Sequence, residues 1–329
     1  MNKKTKILID TKGGDNGASV MIKGSAEALK KFLQLEYVFV GDEAKIREEC
    51  ELLRIPSERV TIIDAPGEIT NYDNPMEAIY QKTDSSMLRA LEIRSEKDDL
   101  FGMITCGNTA VALTGAMRYL SGEQRIRPAL AAVLPAQNGS FTCMVDTGAT
   151  IDCTSPMLHH FASLGSDFMR MMYGIDQPKV GLLSVGSEPT KGNKLVKETF
   201  PLLESDESLN FVGNIEGNDA LSGKCDVLVC DGFAGNQVLK VTEGTAKRMM
   251  TDIMRYAKKT GSCDVEKLFY HLMGVYDIGS LGGGIILGVT KPVIKARGNA
   301  DERAVVGVTE MLLNMSEHRA VFDQSRYNI

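Results

Sequence analysis

The strongest constraint in this sequence is an alternation of two periods. Short apolar runs of strand length are followed, again and again, by longer segments with the apolar spacing of an amphipathic helix. The runs that read as strands are 6–10, 37–40, 60–64, 101–105, 130–134, 141–146, 180–185, 211–212 and 227–230. The helical segments are 18–33, 44–53, 85–95, 109–120, 156–173, 194–204 and 238–259, with a last one at 301–318. Strands buried on both faces read as continuous apolar runs, and parallel neighbours need crossover helices. The expected fold is therefore a three-layer α/β/α sandwich with a mostly parallel sheet. One interruption is expected: 130–135 and 141–146 flank Ala136-Gln137-Asn138-Gly139-Ser140, and the Asn-Gly pair predicts an antiparallel hairpin.

With 329 residues, the chain can form one large α/β domain. A single domain over 1–329 is expected, with two lobes meeting near 174–178, where a helix gives way to a fresh strand. The net charge of −6, with no basic patch carrying interleaved aromatics, argues against a nucleic-acid partner. No run reaches the ~18 apolar residues that cross a bilayer. The polar start at 1–6 leads directly into a strand, so no secretory leader is expected. Seven scattered cysteines without a CxxC pair read as reduced thiols of a cytoplasmic protein. The four histidines, His159, His160, His271 and His318, lack ligand spacing to a cysteine pair, so neither a metal nor another cofactor is expected.

The chemistry concentrates in loops at strand ends. Gly-Asn occurs six times, at 107–108, 192–193, 213–214, 217–218, 235–236 and 298–299. Glycine permits a tight backbone path, and asparagine is a good helix N-cap. In an open α/β sheet the ligand crevice lies beyond the carboxyl ends of the strands, where helix N-termini favour an anion. Plain capping is the competing reading of each pair. Five segments stand out: Asp10-Thr11-Lys12-Gly13-Gly14-Asp15, Cys106-Gly107-Asn108-Thr109, Asp146-Thr147-Gly148-Ala149-Thr150, the loop 186–194, and Asp231-Gly232-Phe233-Ala234-Gly235-Asn236. A sixth, Gly282-Gly283-Gly284, precedes an apolar run. The sequence contains no GxxxxGK[ST] phosphate loop, no GxGxxG dinucleotide fingerprint and no GxSxG nucleophile elbow.

These segments appear in the order of one family. Together with Ser85-Ser86-Met87, Arg127-Pro128-Ala129-Leu130, Val180-Gly181-Leu182-Leu183, Lys191-Gly192-Asn193 and Val293-Ile294-Lys295, they make the chain resemble the PlsX family of phosphate acyltransferases. The resemblance covers 6–318; the most specific stretches are DGFAGNQVLK and VGLLSVGSEPTKGNKL. The chain departs from the family pattern at Thr11-Lys12, Ala110-Val111, Thr150 and Arg297. The resemblance implies a fold similar to the isocitrate/isopropylmalate dehydrogenases and phosphotransacetylases. It also implies transfer of a fatty acyl group from acyl carrier protein to inorganic phosphate, giving acyl phosphate for phospholipid synthesis. A homodimer, a membrane acyltransferase as downstream partner and, at most, peripheral membrane association are further implications. Two alternatives stay open: a short-chain acyl-CoA donor, or a non-catalytic paralogue that binds acyl groups or phosphate.

Such a transfer needs no protein nucleophile, because phosphate can attack the thioester directly. The protein must hold the reactants together and stabilise the oxyanion, each well-placed donor contributing roughly 3–4 kcal/mol. Gly13, Gly14, Lys191, Asn193, Asn236 and Lys295 are the candidate phosphate ligands. Asn108 and Thr109 are candidates for orienting the thioester or its oxyanion, and Asp231 for orienting a lysine or accepting a proton; Lys191 and Asn236 complete the catalytic set. Asp10 reads as an anchor of its glycine loop. Lys12 and Arg297 read as surface charges or added phosphate contacts, with exposure favoured for Lys12. His159 and His160 read as structural. The segment 238–259 carries Met249, Met250, Ile253 and Met254 in an apolar stripe beside Lys247, Arg248, Arg255, Lys258 and Lys259. That face could dock an acidic carrier protein, or simply be a packed helix with solvated cations near its C-terminus. Val265, Leu268, Phe269, Leu272 and Met273 form a second amphipathic stripe, suited to dimer packing, an acyl channel or a membrane surface.

Overall fold

Three consecutive residues of the first strand, Ile7, Leu8 and Ile9, are fully buried. Successive strand side chains point to opposite faces, so both faces of this sheet are covered. The same holds for Val227, Leu228 and Val229 much later in the chain. The computed structural model describes residues 4–70, 72–122, 127–276 and 283–317. Among them, in chain order, are β1 (Thr5–Asp10), α1 (Gly17–Lys31), β2 (Leu35–Gly41), α2 (Glu43–Leu52), β3 (Val60–Asp64), α3 (Pro75–Gln81), α4 (Ser86–Glu96), β4 (Leu100–Thr105) and α5 (Thr109–Leu120). Next come β5 (Ala129–Pro135), β6 (Phe141–Val145), α6 (Ser155–Tyr173), β7 (Lys179–Ser184), α7 (Lys194–Glu204), β8 (Asn210–Glu216), β9 (Val227–Val229), α8 (Gly232–Thr260) and α9 (Cys263–Tyr276). The last are β10 (Gly283–Leu287), β11 (Val293–Ala296) and α10 (Glu302–Glu317).

The chain divides into two compact units, 1–128 with 279–329, and 129–278. Residues 174–178 lie inside the second unit, between α6 and β7. In the first unit the strand order is β3-β2-β1-β4-β11-β10. All neighbours are parallel except β10 and β11, which run antiparallel. Helices α1, α2 and α10 form one packed group, and α3, α4 and α5 another. In the second unit the order is β5-β6-β9-β7-β8, with only the β5–β6 hairpin antiparallel. Leu134, Met144, Ile215, Cys225, Leu228 and Cys230 form a core cluster here. The expected hairpin is present, and β10–β11 adds a second antiparallel pair that the sequence reading did not include.

Three local differences have clear causes. Helix α3 was not expected from its short span, although its start carries a standard signal: Asn74 accepts from the N–H groups of Met76 and Glu77, and Pro75 follows. Helix α8 begins at Gly232, not at 238, because the glycines that read as loop are helical residues pressed against another backbone. The Gly213-Asn214 pair lies inside β8, not in a strand-end loop; Gly213 has φ of 95° and sits at a register shift between β7 and β8. Gly282 and His318 lie outside the described residues.

Candidate active site

In the first unit, β1 ends in Asp10, which has no exposed surface. Its carboxylate accepts from Ser86 Oγ at 2.6 Å, Thr105 Oγ1 at 2.6 Å and the Lys12 N–H at 3.2 Å. Thr105 Oγ1 in turn accepts from the Gly107 N–H at 3.1 Å. Burial pushes the Asp10 carboxyl above the ordinary carboxylate value; the Ser86 and Thr105 hydroxyls, the Lys12 N–H and the Lys295 charge pull against it. Through this one side chain the loops after β1 and β4 are fixed to each other. They also touch directly: a Cβ on Gly13 would lie 2.5 Å from the Gly107 nitrogen. The loop after β11 joins them, with the Asp15 N–H donating to Gly298 O at 2.8 Å. Lys295 stands opposite Thr105 across the β4–β11 ladder and is buried, with its Nζ donating to Ala296 O. Gly13, Gly14, Asn108, Lys295 and Arg297 therefore belong to one cluster of strand ends. Asn108 caps α5, its Oδ1 accepting from Ala110 N at 2.9 Å and Val111 N at 3.2 Å. That capping engages its side-chain oxygen and not its amide donors. Thr109, the first residue of α5, is half-buried. Lys12 is half-buried and its Nζ donates to Pro66 O, so it straps the first loop instead of standing free in solvent.

The second unit repeats the device. Asp146 follows β6, is fully buried, and accepts from four backbone donors: Leu130 N at 3.1 Å, Gly148 N at 3.1 Å, Ala149 N at 3.0 Å and Thr150 N at 2.7 Å. Burial raises this carboxyl too, against those four hydrogen bonds. The next residue matches as well. Thr147 places both N–H and Oγ1 on Leu130 O, at 2.8 and 2.9 Å, as Thr11 places both on Val40 O, at 3.1 and 3.0 Å. The paired Asp-Thr at 10–11 and 146–147 is thus one local motif used twice. The sequence reading quoted both segments but gave Asp146, Ser86 and Thr105 no role; the repeated Asp-Thr before glycine was the available signal.

Around Asp146 gather the other predicted residues of this unit. Asn236 donates through Nδ2 to Thr147 O at 3.2 Å, and a Cβ on Gly235 would lie 1.9 Å from Asp146 O. Asp231 caps α8 by accepting from Ala234 N at 2.7 Å, and Asn193 caps α7 by accepting from Val196 N at 2.9 Å. Both line one cleft with Gly192. Lys191 is exposed in the loop before α7, which Asn214 holds by donating to Glu188 O at 2.8 Å. His159 pairs with Asp206 at 2.7 Å, and His160 Nε2 is buried, in keeping with structural roles for both.

On α8, Lys247, Arg248, Arg255, Lys258 and Lys259 are all exposed. Asp252 takes hydrogen bonds from two of them, Arg248 at 2.7 Å and Arg255 at 2.8 Å. Only Gly232, Gly235 and Ala257 of this 29-residue helix are buried. Among the described residues no helix is long and apolar enough to cross a membrane, and no group of His, Cys, Asp and Glu is placed to hold a metal ion.

The fold has solved counterparts. A phosphotransacetylase from Streptococcus pyogenes superposes with a TM-score of 0.63 at 16% identity, covering 98% of this chain and 95% of that one. A branched-chain phosphotransacylase from Enterococcus faecalis gives 0.58 at 14% identity, covering 95% and 99%. In sequence, the chain is 35% identical over 330 aligned positions to a phosphate acyltransferase of Clostridium novyi, covering 98% of each. It is 37% identical over 316 positions to that of Caldanaerobacter subterraneus subsp. tengcongensis, covering 94% of this chain and 93% of the relative. A family model described as "Fatty acid synthesis protein" matches residues 5–319. The chain belongs to this family, the PlsX phosphate acyltransferases whose motifs its strand-end loops carry.

Proposed function

We propose that the protein transfers a fatty acyl group from acyl carrier protein to inorganic phosphate, forming acyl phosphate for phospholipid synthesis. The observation that carries this is the full-length likeness to phosphate acyltransferases at 35% identity. A phosphate oxygen attacks the thioester carbonyl carbon, the C–S bond breaks, and the thiolate leaves with the proton that phosphate gives up. No covalent enzyme intermediate is required. The chain's task is to hold phosphate against the carbonyl and to stabilise the oxyanion. Gly13, Gly14, Lys191, Asn193, Asn236 and Lys295 are the proposed phosphate ligands. Asn108 and Thr109 orient the thioester through donors that capping does not use. Asp231, with one oxygen on Ala234 N, has a second for a lysine or a phosphate proton.

The reading extends to assembly. Val241, Met249 and Tyr256 of α8 are each more than half exposed and recur every two turns, a strip suited to a second copy of this chain. A homodimer working in the cytoplasm, peripheral to the membrane where an acyltransferase partner consumes acyl phosphate, fits that surface. The test is to incubate the protein with palmitoyl carrier protein and phosphate and trap acyl phosphate as the hydroxamate. Phosphate-dependent hydroxamate is the expected result. A folded protein that yields none with any chain length, from carrier protein or from coenzyme A thioesters, would refute the enzymatic reading.

A further inference from the structure

The second unit contains a cleft of about 220 Å³. Its deep wall is aliphatic: Leu158, Leu182 and Val196 line it and are almost wholly buried. Val185, immediately after β7, continues the apolar wall outward and is 83% exposed. The polar residues that line it are Ser184, Asn193 and Asp231. We propose that this cleft takes the hydrocarbon chain of the fatty acyl donor and sets its thioester carbonyl beside Ser184, Asn193 and Asp231. The proposal rests on the acyltransferase reading above and assigns the donor's tail to a place.

Four observations converge on that occupant. No lysine or arginine lines the cleft, and its one charged side chain, Asp231, already accepts from Ala234 N. Away from Ser184, Asn193 and Asp231 the lining is apolar, so a phosphate or a nucleotide placed along it would lose its hydration without a counter-charge, whereas an alkyl chain loses nothing. Ser184 Oγ is buried and has no hydrogen-bond partner among the described residues. Buried hydroxyls are ordinarily paired, and a carbonyl oxygen at this point would supply the acceptor. Asn193 and Asp231 are the N-caps of α7 and α8, so two helices begin at the polar end of the cleft. Their positive ends favour the negative charge that grows on a carbonyl oxygen under attack. Aliphatic and polar residues line the same cleft, as the two parts of an acyl thioester require.

Burying one methylene is worth about fourfold in binding, so kcat/KM should rise with chain length until the cleft is full. The experiment compares dodecanoyl and butyryl pantetheine thioesters as donors to phosphate. In Leu195→Trp, a half-buried lining position, the dodecanoyl-to-butyryl ratio of kcat/KM should fall at least tenfold. Val185→Glu, at an exposed position that folding does not depend on, should lower the same ratio severalfold and decides the matter if the first variant misfolds. The native chain has no tryptophan, so Leu195→Trp also gives a single fluorescent reporter. Dodecanoyl pantetheine should shift its emission saturably, and butyryl pantetheine should not. An unchanged ratio in the folded variants, with the native protein active, overturns the assignment of the cleft. If the native protein turns over no donor, the acyltransferase reading fails instead, and the fluorescence titration alone then supports or overturns chain binding.

Discussion

Asp10 and Asp146 hold equivalent loops in different company. Asp10 accepts from two hydroxyls and one N–H, whereas Asp146 accepts from four N–H groups. A hydroxyl can turn and accept; a backbone N–H cannot. Asp10→Asn can therefore keep its partners by pointing its amide at Thr105, and should cost within about 1 kcal/mol. Asp146→Asn must face an N–H with an N–H, and should cost about 1–3 kcal/mol more. Urea denaturation of the two variants checks this; equal losses would sink the distinction. Much of this scale is legible in the sequence. Asn108 and Asn193 read as caps and are caps; Asp231 is a cap as well, which the expected helix start at 238 concealed. The partners of Asp10 were not legible, because Ser86 and Thr105 reach it from 76 and 95 residues away.

The elements were read correctly where one period dominates and misread where close packing overrides local preference. Gly232 and Gly235 look like breakers, yet both are in α8, because a side chain there would collide with the backbone of the Asp146 loop. The same helix offers its own control. Gly235→Ala would put a Cβ 1.9 Å from Asp146 O and should destabilise by about 3 kcal/mol or more. At Gly244 an added Cβ meets nothing within 4 Å, so Gly244→Ala should stabilise by about 1 kcal/mol through helix propensity. Thermal unfolding of both variants reads the contrast. A loss at Gly244 as large as that at Gly235 would contradict the packing explanation. Helix α3 escaped for a simpler reason: seven residues, two turns, hold too little helical periodicity to register against their flanks.

At the scale of the whole molecule, charge bears on partner choice. The chain carries a net charge of −6, so an acidic carrier protein is repelled except where basic residues gather, as on α8. Raising salt from 0.1 M to 1 M shortens the Debye length from about 10 Å to about 3 Å. If Lys247, Arg248, Arg255, Lys258 and Lys259 dock the carrier, its KM should rise about fivefold or more over that range. The KM for an uncharged pantetheine thioester should stay level. Steady-state kinetics with both donors decide it, and parallel salt dependence would remove the docking role from this face. Asp252 tempers the expectation, since it already engages two of the five cations.

The sequence alone determined the layered α/β architecture, the hairpin at the Asn-Gly turn, the caps and the family, because each is written in local periods or contiguous motifs. Only the tertiary structure decided that Asp10 and Asp146 are matching buried anchors, that Lys295 is buried and Lys12 a strap, and that an aliphatic cleft ends where α7 and α8 begin. Those facts depend on which strand ends lie side by side. Strand order is set by packing between residues far apart in the chain, and no local pattern records it. Likewise, only in three dimensions do Asn193 and Asp231, in loops that read as anion sites, come to line one cleft with the aliphatic side chains of Leu158, Leu182 and Val196.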